Sequence, residues 1–203
     1  MIKTKTLTAL FLALAVNVSF GAAIPSSPKE VQPLEIGSAV PAVAVQTTTG
    51  AAVQLNALTQ GKPSVIIFYR GGWCPYCTRH LAALGEVEPE LRARGYQILA
   101  ISTDNAEHAA ATEADTELGY QLFADPKMDA AKAFGLAYKV DPPTLEKLAS
   151  YKIDIEAASG ETHHLLPVPA VFLTDAQGNI TFRHFDADYT TRLDAEELLK
   201  AAK

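Results

Sequence analysis

The run Ser64-Val65-Ile66-Ile67-Phe68-Tyr69 constrains the fold more than any other stretch of the chain. Its apolar residues are consecutive and largely β-branched, the pattern of a strand buried on both faces. Such a strand needs helices on either side of its sheet, so helix and strand should alternate after it. The following residues comply. Gly71 and Gly72 break the run, and Pro75 suits the first turn of a helix, where its missing N–H costs nothing. Leu81, Leu84, Val87 and Leu91 then recur at three or four residues, which predicts a helix from Cys74 to about Arg94, stopped by Gly95.

Gln97 to Ser102 reads as the next strand, Asp104 as the cap of a helix through Leu118, and Gln121 to Ala124 as a short strand. This alternation implies a parallel sheet with right-handed crossovers. Pro126 opens a helix to Phe134, closed by Gly135. The stretch from Leu136 to Leu166 is less regular, with a helical pattern over Thr144 to Lys152 and a loop from Gly160 to His164. Ala170 to Thr174 is a strand, Asp175-Ala176-Gln177-Gly178 a tight turn, and Asn179 to Phe185 the antiparallel return. Asp194 caps a final helix, and Val43 to Thr48 with Ala52 to Leu55 suggests an N-terminal hairpin. No linker, repeat or low-complexity tract follows Leu34, so one domain is expected over 34–203.

Residues 1–23 read as a signal peptide, with Lys3 and Lys5, an apolar run from Leu7 to Phe20, and the small residues Gly21-Ala22-Ala23. The run is short of the ~20 apolar residues of a comfortable membrane span. Export, most plausibly to a bacterial periplasm, is the expectation, with no membrane span once the signal is removed. Residues 24–33, rich in Pro, Ser and charge, read as a flexible lead-in. Without Lys3 and Lys5 the chain carries 15 basic and 23 acidic residues, a net charge of −8. With no basic run, nucleic acid is not an expected partner.

Cys74 and Cys77 are the only cysteines, three residues apart at the strand-to-helix junction. A disulfide across so short a gap removes little chain entropy, so it is a weak staple. Two thiols are too few for a cysteine-only zinc site. The pair reads instead as a reversible dithiol/disulfide that needs no other cofactor. A thiol must ionise to attack, and an ordinary cysteine with pKa near ~8.5 is mostly protonated at neutral pH. Cys74 falls at the helix start, where unpaired N–H groups and the helix dipole favour a thiolate. Cys74 is therefore expected to be the exposed nucleophile, and Cys77, one turn on and facing the core, the resolving thiol.

Around the pair, Trp73 reads either as a flat rim for a partner or as packing beside the helix, and Tyr76 as a group that could hydrogen-bond a substrate. His80 and the pair His163-His164 raise a weaker possibility of soft metal ligation with the thiols, since thiolates and imidazoles suit copper(I) or zinc. Asp104, Asp125, Asp175 and Asp194 each sit where capping or turn chemistry explains them.

The motif resembles the active site of the thioredoxin superfamily, and Cys74-Pro75-Tyr76-Cys77 is similar to the glutaredoxin tetrapeptide. The wider frame resembles the peroxiredoxin-like branch, the alkyl hydroperoxide reductase and thiol-specific antioxidant family. The matching pieces are Gly37, Pro41, Thr49-Gly50, Phe68 to Cys77, Ile101 to Asp104, Asp125-Pro126, Phe134 to Leu136, and Pro167 to Asp175 with Gly178 and Ile180. The resemblance implies an α/β thioredoxin-like fold: a central mixed sheet flanked by helices, an N-terminal hairpin, and an insert before the last hairpin. It also implies that Pro169 is cis and that Val168 and Pro169 present backbone to a substrate, with Trp73, Pro75 and Tyr76 lining the approach.

Three positions depart from the peroxiredoxin pattern. Ile67 stands where the family carries a proline, Gly71 where it carries a threonine, and Pro169 where it carries an arginine; the threonine and the arginine polarise the peroxide bond. Arg70 is a candidate substitute. The leading expectation is thus a thiol–disulfide oxidoreductase, with a thiol-dependent peroxidase second and a copper-binding chaperone third. Partners would be a thiol- or disulfide-bearing protein, or a small thiol or peroxide, and a redox partner that resets the pair.

Overall fold

The computed structural model describes residues 23–116 and 118–203, so the expected signal peptide lies outside the described residues except for Ala23. The centre is strand β3 (Ser64–Tyr69), with every residue buried. It pairs in parallel with β4 (Gln97–Ser102), which pairs in parallel with β5 (Gln121–Ala124). On its other side β3 meets β8 (Ala170–Thr174) antiparallel, and β9 (Ile180–Phe185) returns against β8. The N-terminal hairpin, β1 (Ala44–Thr47) and β2 (Ala52–Gln54), joins through β1 antiparallel to β5. The sheet order is β2-β1-β5-β4-β3-β8-β9, a mixed sheet as expected.

Because successive residues of a strand face opposite sides, β3 feeds two cores. Ile66 and Phe68 join one with Leu99, Phe134 and Phe172. There the Phe134 ring lies 4.8 Å from Phe68 and 5.1 Å from Phe172. Val65, Ile67 and Tyr69 join the other, which holds Cys74, Cys77, Leu81, Leu84 and Leu198. The cysteines are thus part of a core layer.

Several elements differ from the sequence reading. The long helix after the cysteines is two helices, α2 (Pro75–Glu86) and α3 (Glu88–Ala93), because Pro89 falls in the first turn of the second and cannot continue the first. A short helix α1 (Leu55–Thr59) follows β2, and α4 spans Ala106–Thr116. Its start is held by Asn105, whose Oδ1 accepts the His108 N–H at 2.9 Å; Asp104 does not cap it. The helix expected from Pro126 is the shorter α5 (Asp129–Ala133). The irregular insert carries β6 (Ala137–Lys139) paired with β7 (Leu165–Pro167), and between them α6 (Pro142–Ser150) and α7 (Ile155–Ser159). Helix α8 (Ala195–Ala201) is capped by Asp194 as expected.

The stretch 24–33, read as a flexible lead-in, is tied down. Pro25 O accepts the Lys139 N–H at 2.8 Å, and Pro33 O accepts from Arg183 at 2.8 Å. Gly135 makes room for it: with φ of +70°, a Cβ there would meet the Gln32 carbonyl oxygen at 2.0 Å.

Candidate active site

The turn from β3 into α2 is fixed from beneath by the end of β4. Thr103 Oγ1 donates to Arg70 O at 2.9 Å, and Gly72 N–H donates to Asp104 Oδ2 at 2.8 Å. Ser102 Oγ donates to the same carboxylate oxygen at 3.1 Å. Asp104 is 1% exposed, and burial raises its pKa against the pull of these donors. Its role is therefore to hold the cysteine turn to the neighbouring strand, a role the sequence had disguised as a helix cap. Gly71 passes between this carboxylate and the Trp73 indole at φ +153°; a Cβ there would meet Trp73 Nε1 at 2.2 Å and Asp104 Oδ1 at 2.7 Å. No threonine fits that position without moving both.

Cys74 forms the N-cap of α2, and Cys77 lies one turn inside it. Both are free thiols. The Cys77 thiol donates to Cys74 Sγ across 2.7 Å. Burial differs from expectation: Cys74 is 2% exposed and Cys77 1%, so the nucleophile candidate is not open to solvent. Both thiols pack within the core layer beside Val65, Ile67, Tyr69 and Leu81. Tyr138, half-buried on β6, stands close enough to Arg70, Tyr189 and Cys74 for their charges to act on its phenol.

The two thiols are nevertheless driven apart. The hydrogen bond from Cys77 lowers the Cys74 pKa to about 6 against the opposing effect of burial, with help from Arg70, the Cys77 main chain and Arg192. Burial, and then the neighbouring Cys74, pushes the Cys77 thiol well up. At neutral pH the arrangement is a thiolate with a protonated thiol beside it.

Arg70, 4% exposed, holds its guanidinium over Tyr189 at 4.3 Å and Trp73 at 5.1 Å from the ring centroids. Trp73 is packed, not a flat rim. It joins the core layer of the cysteines to a small insert cluster of Val140, Leu148, Ile155 and Leu166, and its buried indole N–H lies against Asp104 without the alignment of a hydrogen bond. Pro75 and Tyr76 are on the surface; Tyr76, 40% exposed, meets Tyr189 edge-on at 5.6 Å. Two residues of the site carried no sequence signal that set them apart. Tyr189 and Arg192 come from the loop before α8, and Arg192 Nη2 reaches Cys77 Sγ at 3.6 Å.

Val168 and Pro169 do not offer free backbone as expected. Both are buried, and the Val168 N–H already donates to Leu136 O at 2.9 Å. No described peptide bond is cis, so Pro169 is trans. A trans bond carries the chain extended from the β6–β7 ladder directly into β8, where Ala170 pairs with Phe68, and trans is the lower-energy form of an X–Pro bond.

The histidines weighed as metal ligands take other partners. His80 Nε2 meets Leu193 O at 3.1 Å, and burial lowers its pKa to about 4. His164 pairs with Glu156, and His163 Nε2 meets Pro126 O at 2.7 Å. Among the described residues no three His, Cys, Asp or Glu side chains converge.

A model of the AhpC/TSA family matches residues 36–183. The chain belongs to the AhpC/TSA family. Among curated proteins this family member is similar to peroxiredoxin bcp1 of Schizosaccharomyces pombe, at 26% identity over 50% of the chain and 52% of that protein. It is also similar to the 1-Cys peroxiredoxin PER1 of Hordeum vulgare, at 31% identity over 54% of the chain and 51% of that protein. The thiol-disulfide oxidoreductase ResA of Bacillus thuringiensis matches at 23% identity over 72% of the chain and 68% of that protein. The chain thus spans about half the length of the peroxiredoxins it matches. Among solved structures, reduced Prx3 of Vibrio vulnificus in complex with hydrogen peroxide shares the fold, with a TM-score of 0.69 at 19% identity over 84% of the chain and 99% of that structure. The peroxiredoxin-like, thioredoxin-type architecture is therefore established. Within it, this AhpC/TSA member has Gly71 and a trans Pro169 at the two places where the family pattern puts threonine and arginine.

Proposed function

We propose that this chain is a thiol–disulfide oxidoreductase of peroxiredoxin-like architecture, exported and working in the cell envelope. Its observation in support is the opposite displacement of two adjacent thiols, Cys74 lowered to about 6 and Cys77 raised. Cys74 thiolate attacks a sulfur of the substrate disulfide; that S–S bond breaks, one thiolate leaves, and a mixed disulfide forms. Cys77 then loses its proton to solvent or the departing group, attacks Cys74 Sγ, and releases the second substrate thiol as the Cys74–Cys77 disulfide closes. The reverse sequence oxidises a substrate dithiol. Export rests on the pattern of residues 1–23.

The second reading is a thiol-dependent peroxidase, favoured by one observation. Arg70 brings to Cys74, from the end of β3, a cation of the kind that family members carry at the position of Pro169. Cys74 would take the peroxide oxygen as a sulfenic acid, and Cys77 would displace water to form the disulfide. Stopped-flow kinetics separates the readings. Fast reaction with model disulfides and slow consumption of hydrogen peroxide supports exchange. Rapid peroxide consumption with a Cys74 sulfenate in a Cys77→Ser variant, and feeble disulfide reduction, overturns it.

A further inference from the structure

The chain has six arginines, and they divide sharply. Three lie away from the cysteines, and each has a glutamate: Arg92 with Glu88, Arg94 with Glu90, Arg183 with Glu35. Of the other three, Arg70 and Arg192 lie close to the dithiol and Arg79 reaches Tyr76 between the cysteines, and none lies within ion-pair distance of a described carboxylate. Arg70 is held by Tyr189 and Trp73 through ring faces alone, with Nε buried and unpartnered. Arg79 lies over the Tyr76 ring at 5.4 Å. Arg192 reaches Cys77 Sγ and its own neighbour's carbonyl, Thr191 O at 2.8 Å. Asp188, on the same loop, feels the charge of Arg192 but binds Thr190.

In a chain of net charge −6 with 23 acidic residues, Arg70 and Arg192 beside the sulfurs and Arg79 over Tyr76, with no described acidic partner, make a local positive field. One thiolate balances at most one of them. A guanidinium nearly out of water, cradled by aromatic faces and with its planar fork unengaged, is built to receive a planar anion, and carboxylate is the group its geometry matches. Because Cys74 and Cys77 are 2% and 1% exposed, a slender molecule reaches them with less rearrangement than the surface of a folded protein would need.

We propose that the mouth of the dithiol is a receptor for small carboxylate-bearing disulfides and thiols, with Arg70 and Arg192 beside the sulfurs and Arg79 at the rim. The proposal rests on the exchange reading and names its substrate class. In the reducing direction, a disulfide RSSR and the Cys74/Cys77 dithiol become two RSH and the Cys74–Cys77 disulfide. Two electrons pass from the protein sulfurs to the substrate sulfurs, and dithiothreitol, a small dithiol, resets the protein in the assay.

Charge-matched probes test the subsite apart from the redox function. Reduced protein is alkylated at low ionic strength with iodoacetate, an anion, and with iodoacetamide, its neutral counterpart. The iodoacetate-to-iodoacetamide rate ratio at Cys74 is expected to exceed that of a free small thiol by about tenfold, and to shrink in 0.5 M salt. It should fall at least threefold in R79Q and in R192Q. A ratio equal to the free thiol's, or one indifferent to both substitutions, overturns the proposal.

The disulfide series is 3,3′-dithiodipropionate, bis(2-hydroxyethyl) disulfide and cystamine. Rates should fall in that order, against the leaving-group order, since the cystamine thiol is the most acidic and leaves fastest by chemistry alone. Equal rates, or cystamine first, overturn the anionic class and leave exchange standing. Charge-selective alkylation without reaction of any disulfide overturns the exchange reading and leaves only an anion site.

Discussion

Cys74 ionises because Cys77 gives it a hydrogen bond and two guanidinium groups lie near it; burial alone would push it the other way. The turn that makes this possible depends on Gly71. Gly71→Ala puts a methyl group at 2.2 Å from Trp73 Nε1 and 2.7 Å from Asp104 Oδ1. Chemical denaturation should show a loss of about 1–3 kcal/mol, with slower Cys74 alkylation as the turn shifts. Another single residue governs a pH response. Asp125, 4% exposed, accepts the Ala130 and Ala131 N–H groups, yet burial raises its pKa to about 7. In the unfolded chain the same carboxyl ionises near ~3.9. Between these values the folded state holds a proton that the unfolded state has lost, so stability falls as pH rises through this window. The stability advantage of the wild type over D125A should shrink from pH 4 towards pH 7, by at most about 1.4 kcal/mol per pH unit, and level off above pH 8. Denaturation curves across this range check it; an advantage that grows with pH contradicts it.

At the scale of elements, the insert between α5 and β8 is joined to the cysteine layer through Trp73. Leu166 is fully buried in the cluster that also holds Val140, Leu148 and Ile155. Leu166→Ala should cost about 2–5 kcal/mol. Because Trp73 is the only tryptophan, its emission should move to the red as the insert cluster loosens. An unchanged spectrum with the full stability loss would mean that the insert and Trp73 are independent. This is also where the sequence was least legible. Strands β3, β4, β5 and β8 were readable from local apolar pattern, since each is largely buried, and β9 from the tight turn before it. The β6–β7 pair was not: Ala137–Lys139 and Leu165–Pro167 are three residues each and gain their pairing from a partner nearly thirty positions away. The break at Pro89 is masked by the continuous Leu81-Leu84-Val87-Leu91 spacing. Asp104 looked like a cap because a carboxylate before a helix usually is one; its true partner, the Gly72 N–H, is distant in sequence.

Across the whole molecule, the position of the cysteine pair at a strand-to-helix junction was legible from Cys74-Pro75-Tyr76-Cys77. Their burial and their neighbours were not, since Arg70, Tyr138 and Arg192 come from the end of β3, from β6 and from the loop before α8. Nor was the ordering of residues 24–33, which pack through main-chain carbonyls that composition does not reveal. The same assembly places Arg70 and Arg192 beside the sulfurs of an acidic protein, neither within ion-pair distance of a described carboxylate. The central claim is that the mouth holds one ionised and one protonated sulfur. Iodoacetamide alkylation of the reduced protein from pH 4 to 10, with each cysteine followed by mass spectrometry, tests it most directly. Cys74 should be modified with a midpoint near pH 6, moving towards the ordinary value of ~8.5 in R70M, while Cys77 stays unmodified through neutral pH. Modification of Cys77 first, or of neither cysteine below pH 8, would contradict the account.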